Sequence, residues 1–422
     1  MPDKKSLVTL ILSIFFLWAI VTEVFASNTL FVTDDFDVAN LGLYVQYLRD
    51  VPPHTDISEI ITAYNNNQFK ESTDINPSFG YSHNCIWVSF TLANTSKTPV
   101  PLLLEYDYPI IDDITLFIPG GVHFKEIQTG DRFPFSSRPF PYRSFVFPIE
   151  VKPGVNTYFL RIQSEGSLVV PLKLWGLKAF EDMRNSTLPL IWMHYGLMVA
   201  LFFYNLFLFI STREKSFLYV GIFIIGVTLF AMANNGLAAQ YLWPASTWWG
   251  NICHPFFVFF AMTGILLFTR EFLSLRFVIR KLDTYVLLLT LITVLSALTP
   301  FLLPYYYATQ LSVLMAAIGS VSVIVIGVVA QIKKIREAIF YNIATLSFVI
   351  GVLLIGLRSF GVLGDNFFTA WGYQLGSSAM IILFSLGIAD KVNTWRRDKE
   401  RALSQLATSE ARYRTLVENA HD

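Results

Sequence analysis

Seven residues between positions 87 and 161 carry side chains suited to holding a polar ligand: Trp87, Asp131, Arg132, Arg138, Tyr142, Arg143 and Arg161. Aromatic faces stack on sugar rings, and a guanidinium fork matches a carboxylate through two parallel hydrogen bonds. The set therefore points to a small sugar or a carboxylate as ligand. Each residue also has an ordinary structural role to set against this: a Trp that begins a strand is commonly core, and a mid-strand Arg such as Arg161 commonly pairs with a carboxylate or a carbonyl. Hydrolysis of a sugar would need two carboxyl groups about 5 to 10 Å apart, and Asp112, Asp113 and Asp131 are the candidates. His54, His83 and His123 are too scattered for a metal site, and no nucleophile, base and orienter stand together. No catalytic residue, metal or cofactor is assigned.

A second group of polar residues lies inside apolar surroundings: Asn205, Asn234, Asn235, His254, Gln310, Asn342, Arg358 and Gln374. Ion or proton transport would call for acidic side chains at such depth, and none is evident. Asn234, Asn235 and Arg358 are candidates for passing a signal between an outer domain and the helices. Against that, Arg358 can snorkel to headgroups and the asparagines can bond between helices.

The elements that must position these groups follow from hydropathy. Apolar stretches at 188–211, 217–240, 251–269, 283–303, 305–332, 339–361 and 367–391 are each long enough to span a bilayer, which takes about 20 residues in a helix. Lys and Arg fall in alternate connections: Arg213 and Lys215; Arg270, Arg276, Arg280 and Lys281; Lys333, Lys334 and Arg336; then Lys391, Arg396, Arg397, Lys399 and Arg401. Basic loops stay cytoplasmic, so the N-terminal region is expected outside the inner membrane and the tail inside. At 54% hydrophobic and 15% charged, the composition is that of a polytopic membrane protein. The formal net charge of zero averages three dissimilar parts, and no basic-aromatic pattern for nucleic acid is present.

Lys4 and Lys5, the apolar run Leu7 to Val21 and Val24-Phe25-Ala26 read as a signal peptide over 1–26; an uncleaved anchor, adding an eighth span, is the alternative. Cys85 and Cys253 are the only cysteines, so the outer domain at 27–183 must fold by its core rather than by disulfides. From Asn84 to Trp175 the apolar period is two, in runs such as Val88-Phe90-Leu92, Ile114-Leu116-Ile118, Tyr158-Leu160-Ile162 and Leu168-Val170-Leu172-Leu174. Turn residues at 119–121, 129–131 and 152–156 separate them. Strands burying one face and wetting the other imply an all-β jelly-roll sandwich, followed by a seven-helix transmembrane bundle at 184–391.

Beyond the last span, Val392, Lys399, Leu403, Leu406, Tyr413 and Val417 recur at three- and four-residue steps, interrupted by Arg396 and Glu410. This is an imperfect coiled-coil seam over 392–412, and its use would require a homodimer. Residues 413–422 resemble the opening of a PAS domain. Leu386-Gly387-Ile388-Ala389-Asp390-Lys391-Val392-Asn393, followed by Arg396-Arg397-Asp398-Lys399-Glu400, is similar to the junction in the bacterial seven-transmembrane receptors with diverse intracellular signalling modules. Phe79-Gly80-Tyr81, Ile86-Trp87-Val88-Ser89-Phe90, Gly130-Asp131 with Arg138, and Tyr158-Phe159-Leu160-Arg161-Ile162 with Ser164 are similar to that family's type-2 extracellular domain. The resemblance implies a jelly roll akin to carbohydrate-binding modules. It further implies a receptor relaying a glycan or small-molecule signal to a kinase or cyclase type of output, with no enzyme in these residues. A transporter or channel is the alternative, and partners are expected to be ligand, bilayer and a second copy, not nucleic acid.

Overall fold

The computed structural model describes residues 29–82, 84–121, 123–359, 363 and 367–418. The chain divides into two units. One comprises the chain up to Arg184 together with Asn235–Thr247, and the other Asn185–Asn234 and Trp248–Asp422.

The first is the β unit. Its strands are β1 (Thr29–Val32), β2 (Val38–Asn40), β3 (Val45–Val51), β4 (Lys70–Glu71), β5 (Ser78–Tyr81), β6 (Cys85–Asn94), β7 (Val100–Tyr106), β8 (Asp113–Pro119), β9 (Phe124–Thr129), β10 (Phe145–Val151), β11 (Gly154–Gln163), β12 (Ser167–Val169) and β13 (Leu172–Gly176). A seven-stranded sheet runs β4-β3-β6-β11-β8-β9, with β1 parallel to the end of β6; a four-stranded sheet runs β10-β7-β13-β2. The chain crosses between the two sheets at β6–β7, β7–β8, β9–β10 and β10–β11, while β3–β4 and β8–β9 pair within the large sheet. Ile86, Val88, Phe90, Tyr158, Leu160 and Ile162 of the large sheet and Leu102, Leu104, Phe145, Phe147 and Leu174 of the small one fill a single core. This is the expected sandwich.

Two details depart from the alternation read in the sequence. Every residue of β6 is buried, because helix α1 (Ile57–Asn65) covers the far face of the large sheet. Asp56 caps α1 by accepting from the Ser58 N–H at 2.8 Å. Ile60 of α1, Phe69, Cys85, Trp87, Phe117 and Phe159 form a second apolar layer there. At about 1.5–3 kcal/mol for each large side chain removed from water, this layer adds substantially to the main core. The run from Leu168 to Leu174 is two strands rather than one, since Pro171 has no N–H to continue a ladder; β12 pairs with β5, and β13 with β7 and β2. Strands β1 to β5, before Asn84, escaped the periodicity because they are short and partly polar.

The helical unit contains most of α2 (Leu177–Thr212), then α3 (Lys215–Asn234). The chain next makes α4 (Leu237–Tyr241) within the β unit. It returns as α5 (Thr247–Phe272), α6 (Leu275–Val278), α7 (Arg280–Ser296), α8 (Thr299–Leu302), α9 (Tyr305–Ile332), α10 (Ala338–Ser359) and α11 (Phe367–Glu418). Six helical stretches are long and apolar enough to cross a membrane, and a seventh, Ala338–Leu354, is apolar but shorter over its described side chains.

The second spanning helix ends short of the apolar run read at 217–240. Helix α3 stops at Asn234, and Gly236 turns the chain at φ +76°, where a Cβ would fall 2.1 Å from the Arg143 carbonyl oxygen. Residues Asn235–Thr247 therefore belong to the β unit, with the Phe135 N–H donating to the Pro244 carbonyl at 2.9 Å.

Inside the helical unit Phe217, Ile224, Phe259, Phe268, Tyr341 and Phe384 form the core. Gly351 of α10 lies against Gly372 and Gly376 of α11, the close backbone approach that small residues permit. Polar side chains fasten α2 to α11: His194 Nδ1 to Ser378 Oγ at 3.1 Å, and Asn205 Nδ2 to Ser385 Oγ at 3.0 Å.

Candidate ligand site

The carboxylates Asp112 and Asp113 stand where β8 begins, on the rim of the large sheet. Two further segments converge on them. The β9 exit brings Gly130-Asp131-Arg132-Phe133, and the β11 exit brings Gln163-Ser164-Glu165. Gly130 is required, because a Cβ would fall 2.1 Å from the Asp112 carbonyl oxygen. Together they enclose a pocket of about 290 Å³ lined by Asp112, Asp113, Arg132, Phe133, Gln163, Ser164 and Glu165. That volume lies at the small end of ligand pockets.

Arg132 organises the pocket. Its Nη2 lies 3.0 Å from Asp112 Oδ2 and 3.0 Å from Glu165 Oε1, so one guanidinium ties two segments remote in sequence. Asp112 also accepts from the Ser164 hydroxyl at 3.2 Å and the Glu165 N–H at 3.0 Å. Asp113 accepts from Arg161 at 3.4 Å, Thr115 at 3.2 Å and Gln128 at 2.6 Å. Both oxygens of each aspartate are thus engaged by donors of this chain.

Behind the pocket, Asp131 is partly buried and its Oδ1 is enclosed with no hydrogen-bond partner. Burial first, and the charge of Asp112 second, push its carboxyl up to about 8, so it is protonated at neutral pH. Burial also raises the Asp112 carboxyl above its ordinary value.

The remaining sequence candidates lie elsewhere in the β unit. Arg138 sits between the rings of Phe135 and Phe145, 4.9 and 4.2 Å from their centroids, and donates to the carbonyls of Tyr142, Arg143 and Ser144. Burial lowers its guanidinium to about 10, which still leaves it charged at neutral pH. Arg143 pairs with Asp107 at 3.1 Å, and Lys173 reaches the same carboxylate at 3.4 Å. Beside them Glu105, 1% exposed, accepts from Ser144 at 2.6 Å and Trp175 at 2.8 Å. Trp87 packs on Phe117 in the layer under α1, its Nε1 without a partner. Arg132 alone of the seven candidates lines the pocket; Asp131 and Arg161 back it. Phe133, Gln163 and Glu165 had no signal in the sequence as pocket residues, and Ser164 entered only as part of the family resemblance.

Among the described residues no three His, Cys, Asp or Glu could hold a metal ion. Asn234 is exposed at the end of α3 and Asn235 belongs to the β unit. The side chain of Arg358 and the signal peptide lie outside the described residues; of the PAS-like end, 413–418 continue helix α11 and 419–422 lie outside the described residues.

A β-sandwich followed by a bundle of apolar helices defines a multidomain membrane protein. Two family models match the chain: 7TM diverse intracellular signalling over residues 189–391, and 7TMR-DISM extracellular 2 over residues 42–176. The chain belongs to this family of seven-transmembrane receptors with diverse intracellular signalling modules. No curated protein matches it.

Proposed function

We propose that the β unit faces the periplasm and binds a small polyhydroxylated ligand, a sugar or glycan fragment, in the pocket at Asp112, Arg132 and Glu165. The helices then relay the event to a cytoplasmic module. The observation that carries this is the composition of the pocket: three carboxylates and one guanidinium around the Phe133 ring. Carboxylates accept from hydroxyls, whereas a carboxylate ligand would meet repulsion from Asp112, Asp113 and Glu165. An aromatic side chain in the lining suits the apolar face of a sugar ring.

The covalent path supports the relay. Strand β13 runs into α2, α2 is fastened to α11, and α11 continues unbroken to Glu418. We read the stretch after Val392 as a signalling helix that pairs with that of a second copy and leads into a PAS-type module.

Calorimetric titration of the full chain in nanodiscs against a panel of mono- and disaccharides and cell-wall fragments tests the pocket. A sugar is expected to bind, and Arg132→Ala to weaken it at least about tenfold, since charge-assisted contacts contribute about 1.5–3 kcal/mol. A panel in which only carboxylates bind, or a sugar indifferent to Arg132→Ala, would sink the assignment.

A further inference from the structure

The connection between α5 and α7 carries a feature that the receptor reading leaves unused. Asp283 at the start of α7 is taken by Arg270 of α5 at 2.7 Å, which fixes the two helix ends against each other. Between them Ser274 adopts φ +52°, and Leu273 and Leu275 are fully buried, so the turn is anchored in the bundle. What it presents outward is α6 and its flank: Phe277 is 85% exposed and Val278 50% exposed. Arg276, Arg280 and Lys281 beside them are exposed. Arg276 leans over the Phe277 ring at 5.9 Å, and among the described residues none of the three cations makes an ion pair.

A connection this short between two spanning helices lies at the bilayer boundary. An exposed aromatic ring there enters the acyl edge of the headgroup zone, and unpaired cations around it face phosphate. We infer that the Arg276–Lys281 turn is a binding surface for anionic phospholipid: Phe277 and Val278 insert, while Arg276, Arg280 and Lys281 hold the headgroup.

The turn is also tied to the helix that leaves the membrane. Lys391 of α11 donates to the Phe272 carbonyl at 2.8 Å, the Glu271 carbonyl at 3.1 Å and the Ser274 hydroxyl at 3.3 Å. A lipid bound at the turn therefore acts one hydrogen bond away from the root of the signalling helix.

The test uses the full chain in mild detergent, with phosphatidylglycerol, phosphatidylcholine or soluble glycerol 3-phosphate added back, and native mass spectrometry with thermal melting as readouts. Each interfacial cation contributes roughly fivefold in partition, so phosphatidylglycerol should be retained over phosphatidylcholine by at least about tenfold. The exposed-charge variant R276Q/R280Q/K281Q should bring the two lipids to within about threefold of parity. K333Q/K334Q, at another basic connection, should leave the preference intact, and F277S should weaken retention of both lipids. Equal retention of the two lipids by the unaltered chain, a preference surviving the triple change, or equal stabilisation by glycerol 3-phosphate would each overturn the inference. Both substituted loops are exposed, and a melting curve of unchanged cooperativity separates lost binding from lost fold.

Discussion

The β unit and the helical unit both bury polar groups, and they do so in opposite ways. In the β unit full charges go in: Glu105 beside Asp107, Arg143 and Lys173 on one sheet, and Asp112 with Arg132 at the pocket. In the helical unit, away from the ends, the buried partners are neutral. Asn205 pairs with Ser385, Thr269 meets Tyr341 at 2.8 Å, and the hydroxyls of Thr290, Thr293 and Thr345 return to carbonyls four residues back. Among the described side chains, charged partners lie at the edges of the apolar stretches, as with Arg270–Asp283 where α5 ends and α7 begins, and Lys391 where the apolar part of α11 ends. A charge whose partner moves can be met by water at the rim of a sandwich, but in hydrocarbon it is stranded. Charges in the β unit can therefore be met by water when a partner moves, while the bundle is held by shape and by neutral bonds between side chains.

The sharpest way to break this contrast is to strand a charge in the β unit. Arg143→Ala leaves Asp107 with Lys173 alone and exposes it to Glu105, two carboxylates in one enclosed space. Burial pushes the Asp107 carboxyl up, yet Arg143 and Lys173 hold it below its usual range; removing the larger partner forfeits that. The expected loss is about 3–5 kcal/mol, read by native-state hydrogen exchange of β6 and β11 amides, because a two-unit chain does not give one melting free energy. A loss under about 1 kcal/mol, the value of an exposed pair, would mean that the network is solvated.

How far such networks are visible in sequence depends on the range of the forces that build them. Period-two runs from Asn84 to Trp175 and the long apolar windows mark the sandwich and the spans directly, because burial of one face is a local pattern. Arg132, Asp131 and the turn at Gly130 were readable as candidates for the same reason: their residue types are conspicuous. Glu165 was not, since its role exists only when β11 ends beside β8, fifty residues away in sequence, and pairing register decides that. Only the C-terminal end of the second span misled, because Leu237 and Ala238 are apolar and fully buried yet lie beyond Gly236, in the β unit. Hydropathy reports that a residue avoids water and not which core receives it.

A smaller effect should follow at Asp131, and with the opposite sign. Its carboxyl ionises at about 8 when folded and near 3.9 when unfolded, so the fold favours the protonated form. The stability this group contributes is complete below about pH 4 and is lost as pH rises to about 8, beyond which the loss is constant. Asp131→Asn keeps the shape and cannot ionise. Its advantage over the unaltered chain should be near zero at about pH 4 and grow to roughly 1–3 kcal/mol by pH 8, the cost of an unmatched buried group. Hydrogen exchange of the same amides at several pH values measures it, and a gain independent of pH would show that Asp131 is ionised throughout.

The smallest effect is expected where neutral bonds join α2 to α11. Asn205 donates to Ser385 and to the Leu201 carbonyl, and the single Ser385 hydroxyl proton has two acceptors in reach, the Ile381 carbonyl at 2.9 Å and Asn205 Oδ1 at 3.3 Å. Each side chain has a fallback within its own helix, so loss of the partner strands nothing. A double-mutant cycle with Asn205→Ala and Ser385→Ala should give a coupling of about 0.6 kcal/mol, well under about 1.7, the upper end for bonds between membrane helices. Steric trapping or force-induced unfolding of the chain in bicelles can resolve it. A coupling of several kcal/mol would make α2 and α11 a single rigid body, and a relay by one helix sliding on the other would then have to pass elsewhere.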